Sequence, residues 1–522
     1  MPYMDRMPTV MSHDFSTNPN VSVPRSSFDR SHGLKTTFDS SYLIPIFLDE
    51  VLPGDTCSLN MTGFGRLATP INPIMDNAYL DTQFFFVPAR LVWENWQKFN
   101  GEQENPGDST DYQIPVVTTP GAGFAEGSLA DYFGLPIGVP IEDVNALPFR
   151  VYQECFDEWY RDENLQDSLS VSKGDGPDAE SQYVLQKRGK RHDYFTSCLP
   201  WPQKGDAVNL PLGNTAPIAT DSVSTSDRLY VLNGNGVVSD LRAADDVYNG
   251  WVVADNTSQS GEQLYADLSS ATAATINQLR DAFRVQGLYE TDARGGTRYT
   301  EIVKAHFGVT SPDARLQRPE YLGGGSTPIQ VNPVAQTSST DATTPQGNVS
   351  AFGTVGVKGH GFTKSFTEHG YIIGLASVRA DLTYQKGIHR MWSRQTRWDF
   401  YWPGLNGLGD QAVLSKEIYA DGTVGDQDVF GYQERFAEYR YKPSQITGKF
   451  RSDAAQSLDA WHLSQDFVTR PVLDADFIEE DVPMDRVIAV PSEPHIIMDA
   501  YFNYKCARPM PTHNIPGMMS RF

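Results

Sequence analysis

One short run of the chain combines cationic and aromatic side chains in the way that a site for an unpaired nucleic acid strand requires. The run HRMWSRQTRW contains, at its cationic and aromatic positions, Arg390, Trp392, Arg394, Arg397 and Trp398. Arginine neutralises phosphate, and an aromatic ring stacks on an unpaired base. We therefore predict that these five residues contact single-stranded DNA. The alternative is arginine–aromatic packing at a boundary between subunits or sheets.

The residue types that support catalysis form no recognisable motif. The sequence has no Walker A, GxSxG, HExxH or EF-hand pattern, and its ten histidines show no paired ligand spacing. The run GGGS at 323–326 lacks the Lys-Ser/Thr of a phosphate-binding loop, so we interpret it as a turn. The acidic residues of 146–165 are better explained as a solvated helix face than as catalytic acids. We expect no enzyme activity, no cofactor and no metal site.

The strongest basic cluster is the run KRGKRH at 187–192. It is short and isolated in an acidic chain, so two interpretations remain open: contact with phosphate, or a loop that pairs with acidic neighbours. The cysteines lie far apart and form no CxxC pair, which is typical of reduced thiols. They are Cys57, Cys155, Cys198 and Cys506.

The overall charge excludes a protein that coats nucleic acid by itself. The 522-residue chain carries 65 acidic against 42 basic residues, a net charge of -23, whereas phosphate binding needs clustered Lys and Arg. The same balance argues against a sequence-specific DNA-binding protein, which needs a basic face. No apolar run approaches the ~20 residues that span a bilayer, and the N-terminus shows no secretory signal. We expect no membrane insertion.

Strand-like runs occur near both ends of the chain. The early runs are Tyr42–Leu48, Thr56–Leu67 and Ala78–Val87, each bounded by turn-forming residues. In the second run, Cys57, Leu59, Met61 and a register-shifted Phe64 are predicted to share one face. The partners expected for these strands come late in the chain: Tyr371–Tyr384, Arg397–Trp402, Phe430–Tyr441, Val487–Val490 and His495–Cys506. This separation predicts one β-sandwich or barrel that is interrupted by long insertions.

The segments between these strands contain a few helices and one distinctive polar stretch. Helical spacing occurs in 89–99, 146–165, 275–290 and 299–307. Residues 214–274 are rich in Ser, Thr, Asn, Asp and Gly, which indicates an exposed, folded excursion. Its scattered aromatic residues are Tyr230, Tyr248, Trp251 and Tyr265. The ends of the chain, 1–30 and 508–522, have few apolar residues of their own, so we interpret them as extended arms.

Six segments together resemble the major capsid proteins of gokushoviruses, small tailless single-stranded-DNA bacteriophages of the microvirus family. They appear in the expected order: RSHGLKTTFDSSYLIPIFLDEVLPGD (30–55), LATPINPIMDNAYLDTQFFFVPARLVWENWQKFNGE (67–102), CLPWPQKGDAV (198–208), ARGGTRYTEIVKAHFGVTSPDARLQRPEYLGGGSTPI (293–329), HRMWSRQTRWDFYWP (389–403) and RPMPTHNIPG (508–517). Segments 103–145, 214–274 and 330–350 are less similar to the family.

The resemblance implies a mainly β fold, namely an eight-stranded antiparallel viral jelly roll with long loop insertions and a few short helices. One such domain would span 31–522 after an N-terminal arm at 1–30, and its last residues, 508–522, would form an extended C-terminal tail. Sixty copies would form a T=1 icosahedral shell around circular single-stranded DNA. The insertion 214–274 matches the family's mushroom-shaped projection at the threefold axes, so its four aromatic residues are candidates for host receptor contact.

The resemblance also implies a set of partners and a location. The partners are other copies of the chain, an internal scaffolding protein, a DNA pilot protein, a small basic DNA-binding protein and a host cell-surface receptor. The location is the virion, assembled in the host bacterial cytoplasm. An acidic shell protein cannot neutralise a genome alone, so the charge also calls for a basic partner. The two arms are expected to tie neighbouring subunits together.

The alternative function is a secreted β-sandwich protein that binds or hydrolyses glycans. Its composition, rich in Gly, Pro and aromatic residues, would be similar. A glycan-binding protein or glycoside hydrolase of this kind should show a signal peptide and a convergent acid pair or metal cluster, and we find neither in the sequence.

Overall fold

The computed structural model describes residues 25–513, with gaps inside that range. The gaps are residues 110, 207, 209–217, 221–228, 233–237, 244–250, 256–263, 267–275, 311, 314–316 and 343–344. The chain divides into two compact units, one made of 1–202 and 297–522 and the other of 203–296. No helix among the described residues is long and apolar enough to cross a membrane.

The described elements are mostly strands. The strands are β1 Ser26–Asp29, β2 His32–Phe38, β3 Ile44–Val51, β4 Thr56–Leu67, β5 Ala78–Pro88, β6 Val116–Thr118, β7 Val144–Asn145, β8 Asp178–Ala179, β9 Ile218–Thr220, β10 Leu229–Leu232, β11 Val238–Ala243, β12 Trp251–Asp255, β13 Leu264–Ala266, β14 Glu320–Ala335, β15 Val349–Ser365, β16 Gly370–Ala380, β17 Asp410–Leu414, β18 Val429–Glu434 and β19 Ile496–Arg508. The helices are α1 Ala89–Val92, α2 Trp96–Phe99, α3 Leu129–Tyr132, α4 Leu147–Trp159, α5 Ile276–Arg294, α6 Tyr299–Phe307 and α7 Ala475–Ile478.

Eight of the strands form two four-stranded antiparallel sheets. One sheet has the order β2–β19–β4–β15 and the other the order β3–β16–β5–β14. The long strand β14 joins them, because residues 320–329 pair with β5 while residues 330–335 pair with β15. Two facing antiparallel sheets of this kind are a jelly roll, so the predicted fold class is confirmed. Strand β1, which lies within the predicted arm 1–30, pairs with residues 505–508 of β19, on the same side as β2.

The core between the sheets is built by alternation along each strand. In β4, Cys57, Leu59 and Met61 are buried as predicted, and they share one core with Phe84 and Phe502 from other strands. The prediction for Phe64 is wrong, because this side chain is 56% exposed. The pairing of β4 with β15 does contain a register shift, but the extra residue is in β15, between residues 358 and 360. The residues of β4 therefore alternate without a break.

A second core covers the other face of the β3–β16–β5–β14 sheet. In the run Phe84–Phe86, Phe85 belongs to this second core, which confirms a strand covered on both faces. Helix α4 packs here, but it ends at Trp159 and its acidic side is not a solvated face as predicted. Glu154 is buried and lies 3.2 Å from the Lys173 ammonium group. Burial raises the pKa of Glu154 despite this cation.

The run 323–326 is not a turn but part of strand β14, where it pairs with β5. A Cβ atom on Gly324 would lie 2.2 Å from the Thr82 carbonyl oxygen. Only glycine fits at this position, because the backbones of β14 and β5 approach each other closely there. Two other predictions need correction: Phe430–Tyr441 contributes β18 to a separate two-stranded sheet with β17, and Val487–Val490 makes only one isolated bridge, from Ile488 to Pro70.

Candidate subunit and nucleic-acid interface

The arginine–tryptophan cluster lies on a surface segment built from short 3-10 turns, not from the strand predicted at 397–402. These turns span Arg390–Ser393, Arg397–Asp399 and Pro403–Leu405. The Asp399 carboxylate accepts hydrogen bonds from the backbone N–H groups of 395 and 396, at 2.9 and 2.7 Å. These bonds lower the pKa of Asp399 and fix the start of the second turn.

Two of the predicted arginines are held by buried carboxylates. The Arg390 guanidinium lies 3.0 Å from Glu417, and the Arg394 guanidinium lies 3.1 Å from Glu438. Both carboxylates are buried, and burial raises the pKa of Glu417 although Arg390 opposes the shift. These ion pairs attach the segment to the strands and turns beneath it, so both guanidinium groups already have a structural role.

The other three predicted residues face outward. Trp392 is 74% exposed and Trp398 is 53% exposed. The Arg397 guanidinium stacks on Trp398, with its carbon 4.1 Å from the ring centroid. Arginine–aromatic packing also occurs inside the subunit where the Arg394 guanidinium carbon lies 4.3 Å from the Tyr439 ring centroid. The alternative interpretation, packing at a boundary between subunits or sheets, stays open. The structure brings all five residues into one segment, and their contact with DNA stays a prediction.

Neighbouring aromatic side chains extend this surface into a large exposed apolar region. We define the aromatic patch by its exposed members: Met391, Trp392, Trp398, Phe400, Tyr401, Trp402 and Tyr439. Beside it lies a cavity of about 470 Å³, lined in part by Arg390, Arg394, Trp398, Arg435 and Glu438. A cluster of exposed aromatic residues of this kind normally marks a contact with another macromolecule.

The basic run at 187–192 serves internal ion pairs, so the loop-pairing interpretation is the one the structure supports. Lys187 lies 3.6 Å from Asp481, Arg188 lies 2.9 Å from Asp81, and Arg191 lies 3.2 Å from Asp381. Between them Lys190 is buried and donates to the Phe477 carbonyl oxygen at 2.6 Å. Burial lowers the pKa of Lys190 to about 8.

The predicted surface excursion lies inside the compact unit 203–296. Within that unit, β10–β11–β12 form one small antiparallel sheet, and β9 pairs with β13. Three of the candidate receptor residues belong to strands: Tyr230 to β10, Trp251 to β12 and Tyr265 to β13. Tyr248 lies outside the described residues. Their contact with a receptor stays a prediction.

Sequence reasoning missed one cluster that forms only through strand register. Cys57 in β4 lies directly opposite Cys506 in β19, and the ligand atoms of both lie within 4.8 Å of those of Asp55. All four cysteines are free and buried, as predicted for reduced thiols. The Arg508 guanidinium lies 3.1 Å from Asp55 and already supplies a positive charge there. We therefore interpret this trio as structural.

The comparisons with known proteins agree with one another over almost the whole chain. The family model of the capsid protein (F protein) of phages matches residues 16–518. The chain is 51% identical to capsid protein VP1 of Bdellovibrio phage phiMH2K, with 98% of each chain covered. It is 45% identical to capsid protein VP1 of Chlamydia phage 1, with 98% of this chain and 99% of the relative covered. The identity to capsid protein VP1 of Spiroplasma virus 4 is 38%, with 97% of each covered.

Proposed function

Because this chain belongs to the phage capsid (F) protein family, among the gokushovirus capsid proteins, we propose that sixty copies form a T=1 icosahedral shell around circular single-stranded DNA. The protein is a structural component of the virion and not an enzyme. The number of copies, the symmetry and the enclosed genome are the parts that we propose.

The aromatic patch is the observation that carries this proposal. A closed shell requires each subunit to bind neighbours through several self-surfaces. Aromatic residues, Met and Arg are enriched at the centre of protein interfaces. Trp392 and Trp398 fit that description, because both are exposed in the single subunit. We assign the patch to contact between copies. The arms 1–30 and 508–522 would add further links between neighbours.

Contact between the patch and the genome is the second candidate for the same residues. It is favoured by Arg397, whose guanidinium stacks on Trp398 and could accompany a base on the adjoining ring. Arg390 and Arg394 lie in the same segment and would add positive charge beside the bound strand, although both guanidinium groups are ion-paired with carboxylates. The two candidates differ in what a patch variant would lose: the shell in the first case, the packaged DNA in the second.

The remaining partners follow from charge and from family membership. A chain with a net charge of -23 needs a small basic DNA-binding protein to help neutralise the genome. We further propose an internal scaffolding protein during assembly, a DNA pilot protein for delivery, and a host cell-surface receptor. The receptor would bind the projection formed by 214–274, with Tyr230, Tyr248, Trp251 and Tyr265 as candidate contacts.

Particle formation by patch variants tests the proposal. The full-length chain would be co-expressed with the other genes of its phage, and particles would be counted by negative-stain electron microscopy. We expect uniform icosahedral particles from the wild type, and few or none from the double variant Trp392→Ala and Trp398→Ala. The matched control, Trp392→Phe with Trp398→Phe, keeps the aromatic character and should assemble. Normal yields of empty shells from the alanine variant would instead favour the genome contact.

A further inference from the structure

The outward face of the β2–β19–β4–β15 sheet is exposed along its whole length. Alternation directs one side of each strand into the core, while the outward residues of β4 and β19 are exposed at every second position. Several of these residues are large and apolar. Phe64 is 56% exposed, Tyr501 is 53% exposed and Ile497 is 56% exposed. We call this surface the outer sheet face.

Strand register places the two aromatic rings beside open positions. Phe64 lies opposite Gly356 of β15, and Tyr501 lies opposite Gly33 of β2. A Cβ atom at Gly356 would meet nothing within 4 Å. No side chain therefore stands across from Phe64 on the β15 side. The rings themselves are diagonal neighbours, because Phe64 pairs with Asp499, two residues before Tyr501. Such diagonal positions are about 7–8 Å apart.

Cationic side chains surround these rings on the same face. Arg66 follows Phe64 by two residues on β4, and Lys358 lies opposite Thr62, on the diagonal from Phe64. Lys505 lies farther along β19, opposite Ser58. Lys35 and Asp499 form an exposed ion pair at 3.2 Å, and Asp29 of β1 lies opposite Lys505 in the strand register. Four cations thus meet two carboxylates here, in a chain whose net charge is -23.

We propose that the outer sheet face binds single-stranded nucleic acid, with bases stacked on Phe64 and Tyr501 and phosphates paired with Arg66 and Lys358. Exposed rings among cations are the combination that binds unpaired strands without sequence preference. The inference rests on the proposed function, since it assigns to this face a contact with the enclosed genome. It adds a site separate from the 389–398 segment.

The composition of the face favours a polyanion over a second copy of the chain. The positions between the rings and cations are polar, such as Asn60, Thr62 and Asn503, and they are exposed. An interface between copies would place an apolar, charge-depleted centre there. In an isologous contact the face would meet itself and set cations against cations, whereas phosphates supply the complementary charge.

Oligonucleotide binding by the purified full-length subunit tests the inference. The probe is fluorescently labelled dT30, and binding is followed by anisotropy at several salt concentrations. We expect Phe64→Ala and Tyr501→Ala each to weaken binding roughly tenfold, because stacking is lost. Arg66→Gln and Lys358→Gln should each reduce the slope of log affinity against log salt by about 0.7. Unchanged affinity and slope in all four variants would overturn the inference.

A matched pair at Gly356 isolates charge from shape. Gly356→Glu and Gly356→Gln add side chains of the same size in open space, where the glycine does not have a positive φ. We expect the glutamate variant to bind dT30 more weakly than the glutamine variant. Equal binding by the two, or loss of binding only in Trp392→Ala with Trp398→Ala, would place the contact elsewhere and refute the inference.

Particle formation separates this inference from the proposed function. The outer-face variants should still form shells on co-expression, with less protected DNA per particle. If the wild type forms no particles, the proposed function fails, yet the dT30 measurements still decide the inference. If Phe64→Ala dissociates subunit dimers in sedimentation without changing dT30 affinity, the face is a contact between copies and the inference is wrong.

Discussion

Gly361 in β15 shows how the sheet constrains a single residue. A Cβ atom there would lie 1.9 Å from the Leu59 carbonyl oxygen in β4. We expect Gly361→Ala to lower the free energy of unfolding by about 1–3 kcal/mol or more, because the strands must separate. Gly356→Ala, five residues earlier and in open space, is the control and should be neutral or stabilising. Urea unfolding of the purified subunit measures both, and equal stabilities would contradict the expectation.

Arg150 is a second residue whose role depends on burial. Its guanidinium is fully buried, forms two hydrogen bonds with Asp178 at 2.7 and 2.8 Å, and donates to the carbonyl oxygens of 92 and 174. Arg150→Ala leaves the Asp178 charge buried and unpaired, so we expect a loss of about 3–5 kcal/mol in unfolding free energy. The exposed Arg66→Ala should change it by less than about 0.5 kcal/mol. A small effect at Arg150 in urea unfolding would count against this account.

At the scale of elements, the contact between the 187–192 loop and the segment after α7 is predicted to depend on pH. Burial raises the pKa of Glu480 to about 7, although Lys190, Arg379 and Arg188 lower it. A carboxyl whose pKa is raised on folding binds its proton more tightly in the folded state. The resulting stabilisation is complete below the ordinary pKa of 4.5 and is lost as the pH rises through 7.

Substitution of Glu480 tests this dependence. We expect wild type to lose stability relative to Glu480→Gln between pH 4.5 and pH 8, by about 1–3 kcal/mol. Urea unfolding of both proteins at several pH values measures the difference. The exposed Asp476→Asn serves as control and should not reproduce the trend. A difference between wild type and Glu480→Gln that is constant across this range would refute the expectation.

Strands with regular alternation or a continuous apolar run could be predicted from the sequence, and the glycine-rich strand β14 could not. β4, β5, β16 and β19 lie within a few residues of their predicted runs, because one or both faces are buried. Strands β14 and β15 were not predicted. β14 contains three consecutive glycines and two prolines, Pro328 and Pro333, which are normally signals of turns. Its pairing with two partners overrides that local preference.

At the scale of the whole molecule, one of the two candidate nucleic-acid sites can be predicted from the sequence and the other cannot. The 389–398 cluster is local in the chain, so its residue types were enough to single it out. The outer sheet face combines Phe64, Lys358 and Tyr501, which only the register of β4, β15 and β19 brings together. The family resemblance predicts the jelly-roll fold, but it does not predict that these three residues lie together.

The unit 203–296 is predicted to be dispensable for the shell. Its two ends are linked within the unit, because the backbone N–H of Lys204 donates to the Tyr289 carbonyl oxygen at 3.3 Å. A Gly-Ser linker that replaces 209–275 must follow α5 from residue 289 back to residue 276, about 20 Å, so it needs roughly ten residues. With such a linker we expect particle formation to remain intact and adsorption to host cells to be lost. Electron microscopy and an adsorption assay measure the two effects. Loss of particles would show that the segment is needed for the shell. Adsorption at the wild-type level would contradict the assignment of this segment to host attachment.

The most direct test of the central claim is the mass and symmetry of the assembled particle. Particles from co-expression with the other phage genes would be examined by native mass spectrometry and by cryo-electron microscopy without imposed symmetry. The account predicts icosahedral shells with sixty copies of the 58.0 kDa chain, about 3.5 MDa of this protein. A monodisperse monomer or dimer under all conditions, or a closed particle with a different copy number, would contradict it.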